Sequence, residues 1–194
     1  MSTDTTTARP GRRRDPEVDE AILDATLALF AEGGYRGITI EGVAARAGVG
    51  KASVYRRYPT REALVVDAMR VRLCLIHDLT DTGDLRADLL AMTTPLIERL
   101  GGPQGPTLIA FMCERIREPE LAEEWQRSVV GRKREHVRAL VRGAVGRGEL
   151  PADTDVDLVA ELPSAVIWHH ALNGLTVDAA LGERIVDDIL RRHA

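Results

Sequence analysis

The side chains best suited to contacting another molecule lie in the segment TIEGVAARAGVGKASVYRRYPTR, between Thr39 and Arg61. From Gly42 to Arg61 this segment has five basic residues and no acidic one. Arginine and lysine donate hydrogen bonds to the O6 and N7 atoms of guanine, serine donates or accepts, and the alanine methyl contacts the thymine methyl. These residue types suit base readout in the DNA major groove, and Lys51, Ala52, Ser53, Arg56 and Arg57 are expected to face outward.

Two hydroxyl side chains in the same segment suit contacts with the DNA backbone. Thr39 stands at a predicted helix start, and Tyr55 stands next to Arg56. Hydroxyl donors to phosphate oxygens fix the register of a protein on DNA but read no sequence. We therefore expect phosphate contacts from Thr39 and Tyr55, whereas Tyr35 and Tyr58 are predicted to be core residues of this part of the chain.

Two short helices must position these side chains. The first is predicted over Ile40–Ala47 and the second from about Lys51 to Tyr58, because apolar residues recur at helical spacing in both. Gly48 can adopt the positive φ that a sharp turn into the next helix requires. The arrangement predicts a helix-turn-helix, in which one helix crosses the DNA backbone and the next enters the major groove.

The rest of the chain also has a helical pattern. A first helix is predicted from Pro16 to Gly33, with Asp15 as its N-cap, and no segment alternates with the period of two that strands require. With 194 residues and 44% hydrophobic side chains, the chain can bury a sizeable core without disulfides. The sequence therefore predicts an all-α fold of about nine helices. Those after the third begin at Arg61 and near residues 84, 105, 119, 155 and 178.

Composition divides the chain into three predicted parts. Residues 1–14 have almost no apolar side chains and are expected to be a disordered basic arm, either a solvated tail or a contact to DNA. Residues 15–60 are expected to form the helix-turn-helix domain. Residues 61–194 are expected to form a larger helical domain, with a connecting helix over 61–80. The first 60 residues have nine basic and eight acidic side chains, and the remainder has 17 and 22.

Membrane proteins and secreted disulfide-rich proteins are the classes that this sequence argues against. The uncharged stretch Leu162–Val177 has 16 residues, whereas a membrane-spanning helix needs about 20. The N-terminal residues contain no apolar signal region. The two cysteines, Cys74 and Cys113, form no CxxC motif. We expect a reduced protein of the cytoplasm.

Metal and catalytic sites are also not expected. Cys74 and His77 share a helical face, but no second pair of ligands accompanies them. His169 and His170 are adjacent, so on a helix their side chains point about 100° apart and cannot bind zinc as an i, i+4 pair. No Ser-His-Asp or Cys-His motif is present. We expect no metal, no cofactor and no enzyme.

The run ILDATLALFAEGGYRGITIEGVAARAGVGKASVYRRYPTREAL resembles the DNA-binding domain of the TetR/AcrR family of transcriptional regulators. The resemblance implies an all-α homodimer in which the first three helices bind DNA and the fourth connects. The remaining helices would hold a ligand pocket and the dimer interface, which makes residues 61–194 a ligand-binding and dimerisation domain. Gly50 departs from the serine or threonine that is usual at the head of the recognition helix, so a side-chain cap is lost.

The resemblance also implies a role for individual side chains. It gives base reading to Lys51, Ala52, Ser53 and Arg56. It gives phosphate binding to Thr39, Tyr55, Arg57 and Arg61.

Soft and aromatic side chains in the larger domain suit either a protein core or a ligand pocket between helices. The pocket candidates are Met92, Phe111, Met112, Cys113, Trp125, Trp168 and His169. The last two helices have apolar stripes too wide for one core, so pairing with a second copy across a two-fold axis is expected. The interface candidates are Val159, Leu162, Val166, His170, Leu181, Ile185 and Ile189.

With these residue patterns, the resemblance to the TetR/AcrR family implies a ligand-responsive transcriptional repressor. Its partners would be a pseudo-palindromic double-stranded DNA operator, a second copy of the chain and a small-molecule effector that releases the DNA. A DNA-binding activator, or a regulator without a small-molecule switch, is the alternative. A helical-bundle enzyme is a more remote one.

Overall fold

The computed structural model describes residues 15–73 and 80–192, and these residues form helices and connecting loops without a β-strand. The predicted basic arm, the pair Cys74 and His77, and residues 74–79 of the predicted connecting helix lie outside the described residues. The helices are α1 (Pro16–Gly33), α2 (Ile40–Arg46), α3 (Lys51–Tyr55), α4 (Arg61–Arg72), α5 (Leu85–Gly101), α6 (Gly105–Arg117), α7 (Pro119–Trp125), α8 (Gly131–Arg147), α9 (Val156–Leu172) and α10 (Ala179–Arg192). The all-α prediction is confirmed.

Polar side chains fix where several of these helices begin. Asp15 accepts a hydrogen bond from the Glu17 backbone N–H, and Pro16 occupies the first turn of α1. Thr60, Asp84 and Asp155 cap α4, α5 and α9 in the same way. Because these caps are local signals, the predicted helix starts agree with the structure.

The first three helices pack around a small apolar core against α4. Ile22, Phe30, Val43, Val54 and Leu64 are at most 2% exposed. An ion pair ties α4 to α1, since the Arg72 Nε lies 2.7 Å from an Asp24 carboxylate oxygen. This core supports α3 on its inner side, where Val54 is buried.

The predicted helix over 119–148 is one continuous rod with an irregular middle. A π-helical segment, Gln126–Val130, joins α7 to α8 without a break. If α7, the π-helical segment and α8 are counted as one helix, the described residues contain nine helices and one 3₁₀ turn at Tyr35–Gly37. The wider turns of a π-helix change the face that later residues present, and such segments recur at functional sites.

The buried side chains of helices α5 to α10 continue the same apolar core. α10 packs on α5 and α9, and α8 packs on α9. Among the described residues, no helix is long and apolar enough to cross a membrane.

Aromatic side chains connect the two halves of the molecule. The ring centroids of Phe30 in α1 and Phe111 in α6 are 6.1 Å apart. Phe111 in turn contacts the edge of Trp125 in α7, with 4.9 Å between centroids. Nearby, the Arg99 Nε donates a 2.8 Å hydrogen bond to the Leu73 carbonyl at the end of α4. Contacts from both α1 and α4 therefore reach the second half.

Candidate nucleic-acid interface and helical-domain cavity

The turn between α2 and α3 is built by glycine geometry. Gly48 has φ of 67°, a conformation that favours glycine. The Gly48 N–H donates to the Ala45 carbonyl at 3.3 Å, and the Val49 N–H donates to the Ala44 carbonyl at 3.0 Å. This pair of bonds is the Schellman pattern that ends a helix. At the other end of α2, Thr39 caps the helix by accepting from the Gly42 N–H at 3.0 Å.

Helix α3 is buried on one side and exposed on the other. Val54 is fully buried, whereas Tyr55 is 53% exposed. Lys51, Ala52 and Arg56 are also exposed. These side chains are therefore within reach of a partner that approaches α3 from outside the protein.

Ser53, the fourth base-reading candidate, is only partly exposed and already has hydrogen-bond donors. Its hydroxyl accepts from Arg57 at 2.8 Å and from Arg56 at 3.3 Å. Its backbone carbonyl accepts from the same Arg57 guanidinium at 3.1 Å. The structure thus places Ser53 at the junction between the exposed face and the support of α3.

Arg57 lies inside the protein rather than on the exposed face. Its side chain is 10% exposed, and its Nε is paired with the Asp19 carboxylate of α1. With Ser53 also bound, the guanidinium joins α3 to α1. The structure therefore gives Arg57 a supporting position instead of the free phosphate-binding position that the resemblance implies.

Arg61 is also engaged within the protein. Its guanidinium lies 4.1 Å from the centroid of the Tyr35 ring, a cation–π contact, and its Nε lies 3.5 Å from a Glu62 oxygen. The Tyr35 hydroxyl donates a hydrogen bond to that Glu62 carboxylate. Burial, together with the Glu62 carboxylate, raises the pKa of Tyr35 above its usual range. These contacts hold the start of α4 against the 3₁₀ turn.

Two acidic side chains near α3 were not predicted. The Lys51 ammonium lies 2.8 Å from a Glu41 carboxylate oxygen. Its hydrogen bond to Glu41 is the main cause that lowers the pKa of that carboxyl group. Arg46 makes two hydrogen bonds to Glu32, at 2.6 and 2.7 Å. Both pairs are exposed, so each cation can exchange its carboxylate for another anion.

The second candidate site is a cavity of about 370 Å³ between α5, α6, α8, α9 and the π-helical segment. Its volume is within the range of small-molecule sites. It is lined by Met92, Leu96, Met112, Arg115, Trp125, Gln126, Val129, Val130, Lys133, Arg134, His136, Val137, Ala160, Glu161, Ser164 and Trp168.

Four of the seven pocket candidates line this cavity: Met92, Met112, Trp125 and Trp168. The other three do not. Phe111 is fully buried behind Trp125, and Cys113 and His169 are exposed. Composition alone could not separate these positions, because soft and aromatic side chains also fill the adjacent core.

The charged residues of the cavity wall were not predicted as site residues. The Arg134 guanidinium is 2.8 Å from the Glu161 carboxylate. Arg115 and Lys133 have no such partner among the described residues. A residue pattern that mixes arginines with apolar positions gives no signal that separates a buried cation from an exposed one.

The interface candidates fall into two groups. Four are buried within the single chain, where they pack α9 and α10 into the apolar core; these are Val159, Leu181, Ile185 and Ile189, none more than 8% exposed. Leu162, Val166 and His170 are partly exposed. These four side chains pack in the protomer's own core, which buries more of the α10 apolar stripe than the sequence predicted.

An apolar stripe on α9 that includes Leu162 remains at least partly exposed. Leu158 and Leu172 are 51% and 52% exposed, and Leu162 and Ala165 lie between them at spacings of four, three and seven residues. This repeat is the spacing of a helix–helix seam. Within the described residues, no cluster of metal-ligating side chains is present.

The fold and these sites define a helix-turn-helix protein with a second, cavity-bearing helical part, and known proteins match both parts. Residues 22–68 match the family model of bacterial regulatory proteins of the tetR family. Residues 79–189 match the Tetracyclin repressor-like C-terminal domain.

Relatives and solved structures extend this likeness. An uncharacterised HTH-type transcriptional regulator of Mycobacterium tuberculosis, Rv1556, is 31% identical over 87% of this chain and 84% of its own. The DNA-binding transcriptional repressor TetR of Mycobacteroides abscessus is 30% identical over 88% of this chain and 90% of its own. The crystal structure of the TetR family transcription regulator SCO0332 covers 92% of this chain and 99% of its own, with a TM-score of 0.69 and 26% identity.

The chain belongs to the TetR family of transcriptional regulators. The resemblance seen in the sequence is therefore confirmed, and the protein is a DNA-binding regulator rather than an enzyme.

Proposed function

We propose that this protein represses transcription by binding a pseudo-palindromic operator through α3, and that a small molecule in the cavity releases it. The observation that carries the proposal is the two-sided environment of α3. Val54 behind it is fully buried, while Lys51, Tyr55 and Arg56 are exposed in front. A supported helix with basic and hydroxyl side chains on its outer face fits insertion into the major groove.

In this proposal the DNA-facing residues have separate tasks. Lys51, Ala52 and Arg56 contact base edges, and Thr39 and Tyr55 contact phosphates. Ser53 contributes to readout through its O–H hydrogen, because the two arginines donate to its oxygen and leave that hydrogen for a base acceptor. Arg57 and Arg61 act by supporting α3 and the start of α4, since both already have partners within the chain.

We infer a homodimer joined through the exposed α9 stripe. A helix face with large apolar side chains half exposed in a single chain is typical of a protein–protein interface. Leu158, Leu162 and Leu172 supply that face. A two-fold interface would present two copies of α3 to two half-sites about 34–36 Å apart. On this reading residues 15–60 bind DNA in the cytoplasm, and residues 61–194 bind the effector and the second copy.

The aromatic contacts supply a route from the cavity to the DNA-binding helices. Trp125 lines the cavity and packs on Phe111, which packs on Phe30 in α1. An effector that shifts Trp125 would therefore move side chains that support α1. Because a ligand changes an equilibrium only by its differential affinity, the effector must bind the DNA-free arrangement more tightly.

Selection of bound sequences from random DNA duplexes tests the proposal with the full chain. We expect enrichment of a two-fold pseudo-palindrome bound by two chains, and lower output from a promoter that overlaps it. Enrichment of no sequence would contradict DNA readout. Increased output would favour the activator alternative.

A charge placed on the α9 stripe tests the dimer. The variant Leu158→Glu is expected to be monomeric in sedimentation and to lose most operator affinity, because the second half-site is then no longer held close. The matched control is Ile116→Glu, which introduces the same charge at a 79% exposed position of α6. If Leu158→Glu remains a dimer, the interface lies elsewhere.

A further inference from the structure

The cavity combines an apolar wall with two cations that have no anionic partner among the described residues. Trp125, Trp168, Met92, Leu96 and Val129 form part of the apolar wall. Arg115 enters from α6 and Lys133 from α8. Such a combination matches a ligand with an apolar body and a charged group.

Arg115 has a hydrogen-bond donor without an acceptor among the described residues. Its Nε is buried and has no acceptor among the described residues, and no ion pair compensates its charge there. A buried donor without an acceptor is unfavourable, and buried charges in proteins are ordinarily paired. An acceptor from outside the chain would remove this penalty.

Lys133 has the same lack of a partner. It makes neither a hydrogen bond nor an ion pair within the described part of the chain. Burial lowers the pKa of its ammonium group to about 8, and no charged neighbour opposes that effect. The lysine is therefore held in an environment that disfavours its own charge until an anion arrives.

The other charged groups of the wall do not meet this need. Glu161 is the acidic side chain of the described lining, and Arg134 already contacts it at 2.8 Å. His136 is the remaining titratable side chain of that lining. The wall thus has more positive than negative charge, and the excess lies on Arg115 and Lys133.

We propose that the effector is an organic anion, with a carboxylate or phosphate group held by Arg115 and Lys133 and an apolar body against Trp125 and Trp168. The inference rests on the proposed function, which makes this cavity the effector site. A guanidinium binds such oxygens through two parallel hydrogen bonds, and an ammonium adds a point charge. The anionic group of the ligand neutralises the charges of Arg115 and Lys133, which have no anion among the described residues. A neutral ligand would leave these two charges without a counter-ion.

Intrinsic fluorescence reports binding directly, because the chain has two tryptophans and both line the cavity. The probes are octanoate and its neutral match octanamide, neither of which fluoresces. We expect octanoate to bind at least about tenfold more tightly than octanamide, since a charge-assisted hydrogen bond contributes that much. Octyl phosphate distinguishes the two anion types, and the tighter of the two anions identifies the group that the site prefers.

Two variants assign the selectivity to the proposed cations. Lys133→Met and Arg115→Met are each expected to reduce octanoate affinity about tenfold or more while changing octanamide affinity less than about twofold. Arg132→Met is the matched control, because Arg132 is an exposed cation next to Lys133 on α8. This control is expected to bind both probes as the unmodified protein does.

The outcomes separate this inference from the proposed function. Equal affinity for octanoate and octanamide, or no binding of octanoate, would overturn the anion proposal and leave operator binding untouched. Anion-selective binding that never changes operator affinity would support the anion site but contradict its role as the effector site. Loss of binding to both probes in Lys133→Met would also count against the proposal, since it would indicate a damaged cavity.

Discussion

The exposed surface around α3 and the cavity both contain cations, but the surface cations have carboxylate partners and two of the cavity cations have none among the described residues. At the surface, Lys51 is paired with Glu41 and Arg46 with Glu32, and all four side chains contact solvent. In the cavity, Arg115 and Lys133 have no anion within the described residues. Exposed ion pairs contribute little to stability, so exchanging a carboxylate for a phosphate is easy. Cations that are largely withdrawn from solvent without an anion destabilise the protein and favour a ligand that neutralises them.

A third kind of cation, Arg57, is only 10% exposed and is paired, and its removal should have the largest effect. Arg57→Met leaves Asp19 without its partner and releases α3 from α1. We expect the free energy of unfolding to fall by about 2–4 kcal/mol in the absence of DNA. Urea denaturation measures this, with Arg36→Met as a control, because the Arg36 side chain is 83% exposed. Unchanged stability with weaker DNA binding would instead support the phosphate-binding role.

Removing a largely buried cation that has no anionic partner among the described residues should change stability in the opposite direction. Lys133→Met is expected to raise the free energy of unfolding at pH 7 by about 1–3 kcal/mol. The folded protein holds the pKa of Lys133 at about 8, below its ordinary value of 10.5. The unfolded chain therefore binds more protons between these values, so the gain is complete below pH 8 and disappears by about pH 10.5. Destabilisation by this variant would contradict the comparison.

The same lysine predicts how anion binding depends on pH. Octanoate affinity should fall about tenfold between pH 7 and pH 9, as Lys133 loses its proton near pH 8. The charged and titratable groups that face the cavity from α6, α8 and α9 are Arg115, Arg134, His136 and Glu161. Lys133→Arg keeps a charge at all these pH values and should remove the fall. Fluorescence titrations at each pH measure it, and a fall that persists in Lys133→Arg would assign it to another group.

An exposed pair near α3 should give the smallest effect. Glu41→Gln frees the Lys51 ammonium from its carboxylate. We expect operator affinity to rise only a few-fold, because exposed ion pairs are weak, and to gain less at high salt. Fluorescence anisotropy with labelled operator checks this. Asp153→Asn is a control that removes an exposed acid outside the DNA-binding helices, and an equal gain in both variants would indicate a general charge effect.

Sequence reasoning succeeded where the determining signals were local. The caps Asp15 and Thr39, the turn at Gly48 and the apolar spacing of α1 and α2 lie within a few residues of what they determine. Long-range partners were not predictable in this way. Asp19, which turns Arg57 into a supporting residue, is 38 positions away from it in the sequence.

The cavity shows a second reason for failure. The π-helical segment Gln126–Val130 changes the phase between α7 and α8, so α-helical periodicity does not predict which face Lys133 presents. The interface candidates on α10 illustrate a third difficulty. Ile185 and Ile189 belong to an apolar stripe that would suit either a protein core or a dimer interface. Whether they are buried within one chain depends on how α10 packs against α5, which is a long-range contact.

Readout of DNA bases by the exposed face of α3 is the central claim, and parallel selections from random duplexes test it most directly. The selections use the unmodified protein, Arg56→Ala and the control Arg132→Ala, which removes an exposed arginine of α8. We predict that Arg56→Ala loses its preference at one symmetry-related pair of base positions and about 1–3 kcal/mol of affinity for the original operator. The control should keep every preference. An Arg56→Ala protein that selects the same sequence with the same affinity would contradict the claim.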